Sequence, residues 1–113
     1  MMHRIAIASR DGKMVNEHFG HAKRFIIVDL YDDGNYFVRE VRECINACGG
    51  DDFYDRMNIV IDKIKDCEAV FVCMIGNAAI MRLKERGIKA CVNPGIIEDV
   101  LKDYLINFEG DKQ

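Results

Sequence analysis

The sequence predicts an α/β domain built on one mixed, five-stranded sheet with three helices, and three observations carry that expectation. Runs rich in β-branched and aromatic residues flank Asp32-Asp33-Gly34-Asn35, a tight-turn signal that calls for an antiparallel hairpin. Beyond Phe53, segments with apolar residues at helical spacing alternate with short apolar runs, the pattern of strands joined by helical crossovers. No repeat, low-complexity run or Pro/Gly/Ser-rich linker divides the chain, and Pro94 is its only proline. Residues 1–108 are therefore expected to form a single domain, with a frayed tail over 109–113.

Taken in chain order, Ile5 to Ala8 is an apolar run ended by the turn signal Arg10-Asp11-Gly12, so it reads as a buried first strand. Asp11 to about Arg24 is polar and punctuated by glycine, and reads as a loop. Phe25 to Tyr31 and Tyr36 to Val41 are the second and third strands, joined by the hairpin turn. Phe53, Met57, Val60, Ile61 and Ile64 fall on one face at helical spacing. Ala69 to Cys73 is the fourth strand. Gly76-Asn77 opens a second helix that runs to about Glu85, Gly87 suits a left-handed stop, and Ile88 to Val92 is the fifth strand. Ile97, Val100, Leu101, Tyr104, Leu105 and Phe108 repeat as the apolar stripe of an amphipathic third helix.

The order β-β-β-α-β-α-β-α, with right-handed crossovers into the last two strands, is compatible with a ribonuclease H-like sheet of strand order 3-2-1-4-5. A doubly wound flavodoxin-like sheet would need a helix between the first two strands, and residues 11 to 24 are too polar for a good one. Strand direction then places the loop carrying His18 and His21, the segment with Cys44 and Cys48, the Cys73 to Gly76 turn and the Asn93-Pro94-Gly95 turn at one edge. That carboxyl edge is where open α/β sheets usually hold ligands. All three helices begin there, and their N-terminal amides favour an anion. Cys67 falls at the opposite edge and reads as a packing residue.

Composition narrows the function. The chain has 113 residues, 50% hydrophobic and 31% charged, the balance of one ordinary soluble domain. Sixteen basic against nineteen acidic side chains give a net charge of -3, which lacks the basic excess of a nucleic-acid binder. The longest apolar run, Ala69 to Ile75, falls far short of the ~20 residues that cross a bilayer, and Ile5 to Ala8 is too short for a signal-peptide core, so a cytoplasmic protein is expected. Five cysteines, odd in number and irregularly spaced, suit reduced thiols rather than a disulfide framework. There is no G-x-S-x-G, P-loop or G-x-G-x-x-G, and the first and fourth strands hold no carboxylate with which a nuclease could gather two magnesium ions. A non-enzymatic protein is expected.

Two constellations carry ligand chemistry. His18-Phe19-Gly20-His21 puts two imidazoles around a glycine that permits close backbone approach, and neutral imidazole ligates iron or zinc. Turn hydrogen bonding is the ordinary alternative use of such histidines. Cys44-x3-Cys48 precedes Gly49-Gly50 at a strand-to-helix junction, where thiolates could hold an iron-sulfur cluster. Their alternative is a pair of free thiols, since the spacing differs from the usual C-x2-C. Cys67, Cys73 and Cys91 lie in or beside apolar runs and read chiefly as small buried hydrophobes.

Ile5-Ala6-Ile7-Ala8-Ser9 with Asp11-Gly12, then Val15-Asn16, His18-Phe19-Gly20-His21-Ala22 and Phe25, resemble the dinitrogenase iron-molybdenum cofactor biosynthesis family; Cys44, Asp66-Cys67, Ile75-Gly76 and Gly87-Ile88 extend the resemblance nearly end to end. The resemblance implies a ribonuclease H-like carrier that transiently binds an iron-sulfur or molybdenum-iron-sulfur cluster, or its precursor, and passes it between cluster-assembly or recipient proteins. It adds weight to His18 and His21; the expected binding set is His18, Phe19, Gly20, His21, Cys44 and Cys48, with His18, His21, Cys44 and Cys48 as metal ligands. Cys44-x3-Cys48 is followed by Asp51, so the C-x3-C-x2-C motif of a radical cluster-building enzyme is missing. A metal-free interaction module and a Cys44/Cys48 redox sensor are the competing readings.

Overall fold

The computed structural model describes residues 2–44 and 53–111. In chain order the elements are β1 (Met2–Ile7), β2 (Met14–Val15), a 3-10 turn (Phe19–His21), β3 (Arg24–Tyr31), β4 (Tyr36–Glu43), α1 (Phe53–Lys63), β5 (Ala69–Val72), α2 (Asn77–Glu85), β6 (Lys89–Val92), β7 (Gly95–Ile96) and α3 (Ile97–Asp111). The main sheet has five strands in the order β4-β3-β1-β5-β6, and β2 pairs with β7 in a separate ribbon. β1, β3 and β4 form an antiparallel meander, while β5 and β6 run parallel to β1. The expected mixed five-stranded sheet with three helices is present.

Strand alternation divides the core cleanly. Ala6, Phe25, Ile27, Val70 and Val72 face α1 and α2, where they meet Met57, Ile61, Ile64, Ala79 and Leu83. Ile5, Ile7, Ile26, Val28, Leu30, Ala69 and Phe71 face α3 and pack on Val100, Leu101, Tyr104 and Leu105. Both faces of the central strands are covered, which is why those strands read as continuous apolar runs.

Three departures from the sequence reading have physical causes. β1 begins at Met2 rather than Ile5, because His3 is buried and breaks the apolar pattern while remaining in the strand. Residues 11–24 are not a plain loop: they contain β2 and the 3-10 turn. A bulge in β4 sets Val28 opposite Val38 but Ile27 opposite Glu40, leaving Arg39 as the extra residue. Arg39 then reaches back to Asp29, whose carboxylate also accepts from Arg4 at 3.1 Å. Gly87, at φ 76°, ends the second helix in the left-handed conformation.

Candidate functional site

The histidine loop is built from the inside of the turn outward. Asp11 accepts from the backbone amides of Lys13 and Met14 at 2.9 and 3.1 Å, and the Gly12 amide donates to Ser9 Oγ at 3.0 Å. Gly12 itself sits at φ 76°, where a side chain would be strained. These bonds hold the Asp11 carboxyl below its ordinary range, with the Lys13 amide the largest cause. Asn16 Oδ1 accepts from the Arg10 amide at 2.8 Å and closes the turn. Ser9, Asp11, Gly12 and Asn16 are thus loop builders, a role visible in sequence as an Asx-type turn pattern.

From Asn16 the chain is stitched onto the ends of β1 and β5. Glu17 donates its amide to Ala8 O, Cys73 donates to Glu17 O, and Phe19 donates to Met74 O at 2.9 Å. His18 forms a parallel bridge with Met74. On the other side, β2 pairs with β7 and the Ile97 amide donates to Lys13 O. The loop is therefore held against the carboxyl ends of β1 and β5 and against β7, which brings His18, His21, the Cys73 to Gly76 turn and the Asn93-Pro94-Gly95 turn to one edge.

Within it, the side chains divide. Phe19 is 4% exposed and packs in the core beneath α1 and α2, with its ring centroid 6.0 Å from that of Phe25. Phe19, expected among the binding residues, has its side chain placed in the core, where it anchors the turn. His18 is half-buried, and its Nδ1 accepts from the Gly20 amide at 2.9 Å, capping the 3-10 turn. His21 is exposed, and its ring stacks on His18 with centroids 4.6 Å apart and planes 27° from parallel. A Cβ on Gly20 would stand 3.4 Å from the His18 ring, so glycine leaves room for the imidazole. α2 starts nearby at Asn77, with no side-chain cap at Gly76 and no acidic residue in its first turn. Its amides and positive dipole end face this edge unneutralised.

The described thiols are buried or half-buried. Cys44 is 6% exposed within the core cluster, and burial pushes its thiol upward from the ordinary value. As placed, its side chain packs in the core rather than opening to solvent. Cys48 and its glycines lie outside the described residues. Cys67, in the turn before β5, is buried, its thiol pushed up to about 12 mainly by burial. Cys73 is half-buried at the end of β5. Among the described residues, no three His, Cys, Asp or Glu side chains gather closely enough to hold a metal ion.

A second polar cluster, at the opposite edge, escaped the sequence reading. His3 is 2% exposed, with Nδ1 3.0 Å from Glu68 and Nε2 2.8 Å from Asp32. Tyr104 donates its hydroxyl to Glu68 at 2.6 Å. The only signal available was a histidine beside the first apolar run. Below α1, Arg42 and Arg4 clasp Asp66, and the Arg42 contact holds that carboxyl well below the usual carboxylate range. A groove of about 740 Å³ on the α3 side, lined by Met14, Ile26, Val38, Val41 and Ile96 among others, includes neither loop histidine.

Fold and site together define a small α/β domain that presents a stacked imidazole pair at the carboxyl edge of its sheet. The family model for the dinitrogenase iron-molybdenum cofactor matches residues 1–107, and the chain belongs to that family. It is 38% identical over 87 residues to the FeMo cofactor biosynthesis protein NifB of Bradyrhizobium diazoefficiens, covering 75% of this chain and 17% of that protein. NifB of Klebsiella pneumoniae is 34% identical over 95 residues, 79% of this chain and 20% of that protein. The chain thus spans about a fifth of the length of these curated relatives. Among solved structures, the crystal structure of PH0822 superposes with a TM-score of 0.66 at 26% identity, covering 92% of this chain and 91% of the other. An NMR structure of a Thermotoga protein of the DUF35 family gives a TM-score of 0.58 at 25% identity, over 90% of this chain and 86% of that one. The family is described by the iron-molybdenum cofactor of dinitrogenase, and the curated relatives are FeMo cofactor biosynthesis proteins.

Proposed function

We propose that this chain transiently binds an iron-sulfur-type cluster, or a precursor of the iron-molybdenum cofactor, and hands it to assembly or recipient proteins without catalysing a chemical step. The observation that carries the reading is the His18–His21 pair, stacked and open at the sheet edge, in a family described by that cofactor. Resident clusters are commonly caged by four thiolates. Two imidazoles beside an uncapped helix N-terminus suit cargo that is held by few bonds and released. The buried carboxylate of the sheet, Asp29, is ion-paired with Arg4 and Arg39, which favours binding over metal-dependent hydrolysis. We also read the sheet as ribonuclease H-like, on the order β4-β3-β1-β5-β6.

Anaerobic incubation with a [4Fe–4S] donor, followed by gel filtration, iron analysis and a visible spectrum, tests the reading. Iron and charge-transfer absorption should elute with the protein and move to an apo-acceptor on mixing. If neither appears, the chain is an interaction module on the same fold. A thiol switch through Cys44 is disfavoured by the burial of that sulfur.

A further inference from the structure

We propose that the two loop histidines do different jobs: His18 offers its Nε2–H as a hydrogen-bond donor, and His21 alone supplies a nitrogen lone pair to metal. This deepens, and rests on, the carriage reading above. A backbone amide can only donate, so the 2.9 Å contact from the Gly20 amide to His18 Nδ1 requires a lone pair on Nδ1. The neutral ring then carries its proton on Nε2. Ligating metal through Nδ1 would break the cap of the 3-10 turn, and ligating through Nε2 would move the ring proton to Nδ1 and break the same cap. His21 has neither restriction, since no ring hydrogen bond involves it among the described residues and it is exposed. With centroids 4.6 Å apart, the rings are close enough for one multi-atom group to touch both.

The site therefore selects a chemical class rather than a bare cation. Its ligand is a metal that carries an anionic acceptor beside it, such as a bridging sulfide: His21 takes the metal and His18 donates to the acceptor. A hydrogen bond from a second residue beside a metal is known to tune and orient such groups. Gly20 belongs to the same device, because a side chain there would press on the His18 ring at 3.4 Å.

Two measurements test the assignment separately from cargo carriage. Long-range proton–nitrogen correlation spectra of the metal-free, ¹⁵N-labelled protein at pH 8, where free imidazole is neutral, should show the His18 proton on Nε2. A proton on Nδ1 overturns the proposal whatever the protein binds. The second uses uptake from the [4Fe–4S] donor. Gln reaches the position of Nε2 with an N–H but loses the cap, whereas Asn keeps an acceptor at the position of Nδ1 but loses the donor. His18→Gln should retain uptake within about threefold of the parent, and His18→Asn should weaken it about tenfold, the loss of one charge-assisted hydrogen bond. His21→Gln should weaken it further. Equal loss in His18→Gln and His18→Asn would make His18 a ligand and overturn the division of roles while leaving carriage intact. A parent protein that takes up no cluster would overturn carriage, and this assignment with it.

Discussion

Phe19 and His21 lie two residues apart and serve opposite ends of the same turn, one in the core and one in solvent. Phe19→Ala should cost about 3–5 kcal/mol, since a buried aromatic leaves a cavity beneath α1 and α2, and chemical denaturation reads that directly. His21→Ala should shift the denaturation midpoint by less than about 0.5 kcal/mol, as exposed positions do, while abolishing cluster uptake. His18 falls between them, because losing its cap of the Gly20 amide should cost about 1 kcal/mol. Cys67 gives a further test. With its thiol pushed up to about 12 and its side chain buried, iodoacetamide at pH 8 should leave it unmodified in the native protein and label it in urea, as peptide mass spectrometry would show. Labelling of the native thiol at the rate of the unfolded one would contradict the packing described. At this scale the placing of the two histidines in one turn at the carboxyl edge was legible from strand direction, and His18 also shows the ordinary use of such a residue, capping the turn. The burial of Phe19 was not legible because an aromatic inside a polar loop carries no periodicity, nor that of Cys44 because β4, which precedes it, is mostly exposed and hides where the chain turns inward.

At the scale of elements, the sheet was legible and its fastenings were not. Central strands covered on both faces announce themselves as apolar runs, and the helices by their stripes. β2 and β7 are two residues each, too short for any period to register, yet they and the Cys73–Glu17 and Phe19–Met74 bonds fix the histidine loop. The β4 bulge was equally silent in sequence, although Arg39 and its neighbouring charges blunt an exposed edge strand. The clasp between β4 and the turn before β5 has a pH signature. The Asp66 carboxyl, hydrogen-bonded first by Arg42, lies below its unfolded value of roughly 3.9. Its contribution is therefore complete above that value and is lost as pH falls through the folded one. Asp66 is 38% exposed, so solvent limits the contribution to about 1 kcal/mol or less. Asp66→Asn should lower stability at pH 7 and flatten the decline between about pH 5 and pH 2; parallel denaturation curves for parent and variant across that range would refute it.

The molecule as a whole is polarised along its strands. One edge carries the stacked imidazoles and the uncapped start of α2. The other carries His3 between Asp32 and Glu68, with Tyr104 reaching in from α3. No helix among the described residues is long and apolar enough to cross a membrane. Both edges are rich in polar side chains, but they differ in what water can reach. At the His3 edge the ring is buried and both nitrogens are engaged with carboxylates that water can still reach, so removing it leaves a cavity and forfeits both hydrogen bonds, a cost of about 1–3 kcal/mol. At the loop edge His21 is exposed, and its loss strands nothing. Stability and binding should therefore separate by position: His3→Ala should lower the melting temperature by several degrees and leave cluster uptake per folded molecule unchanged, whereas His21→Ala should do the reverse. The double variant should show the sum of the two effects, because sites at opposite ends of the strands share no side-chain partners and distant changes add. Paired thermal melts and anaerobic uptake on the four proteins provide the cycle. Loss of uptake in His3→Ala at a temperature where it is fully folded would mean that the lower cluster reaches the loop through β1, and that the two edges form one coupled device.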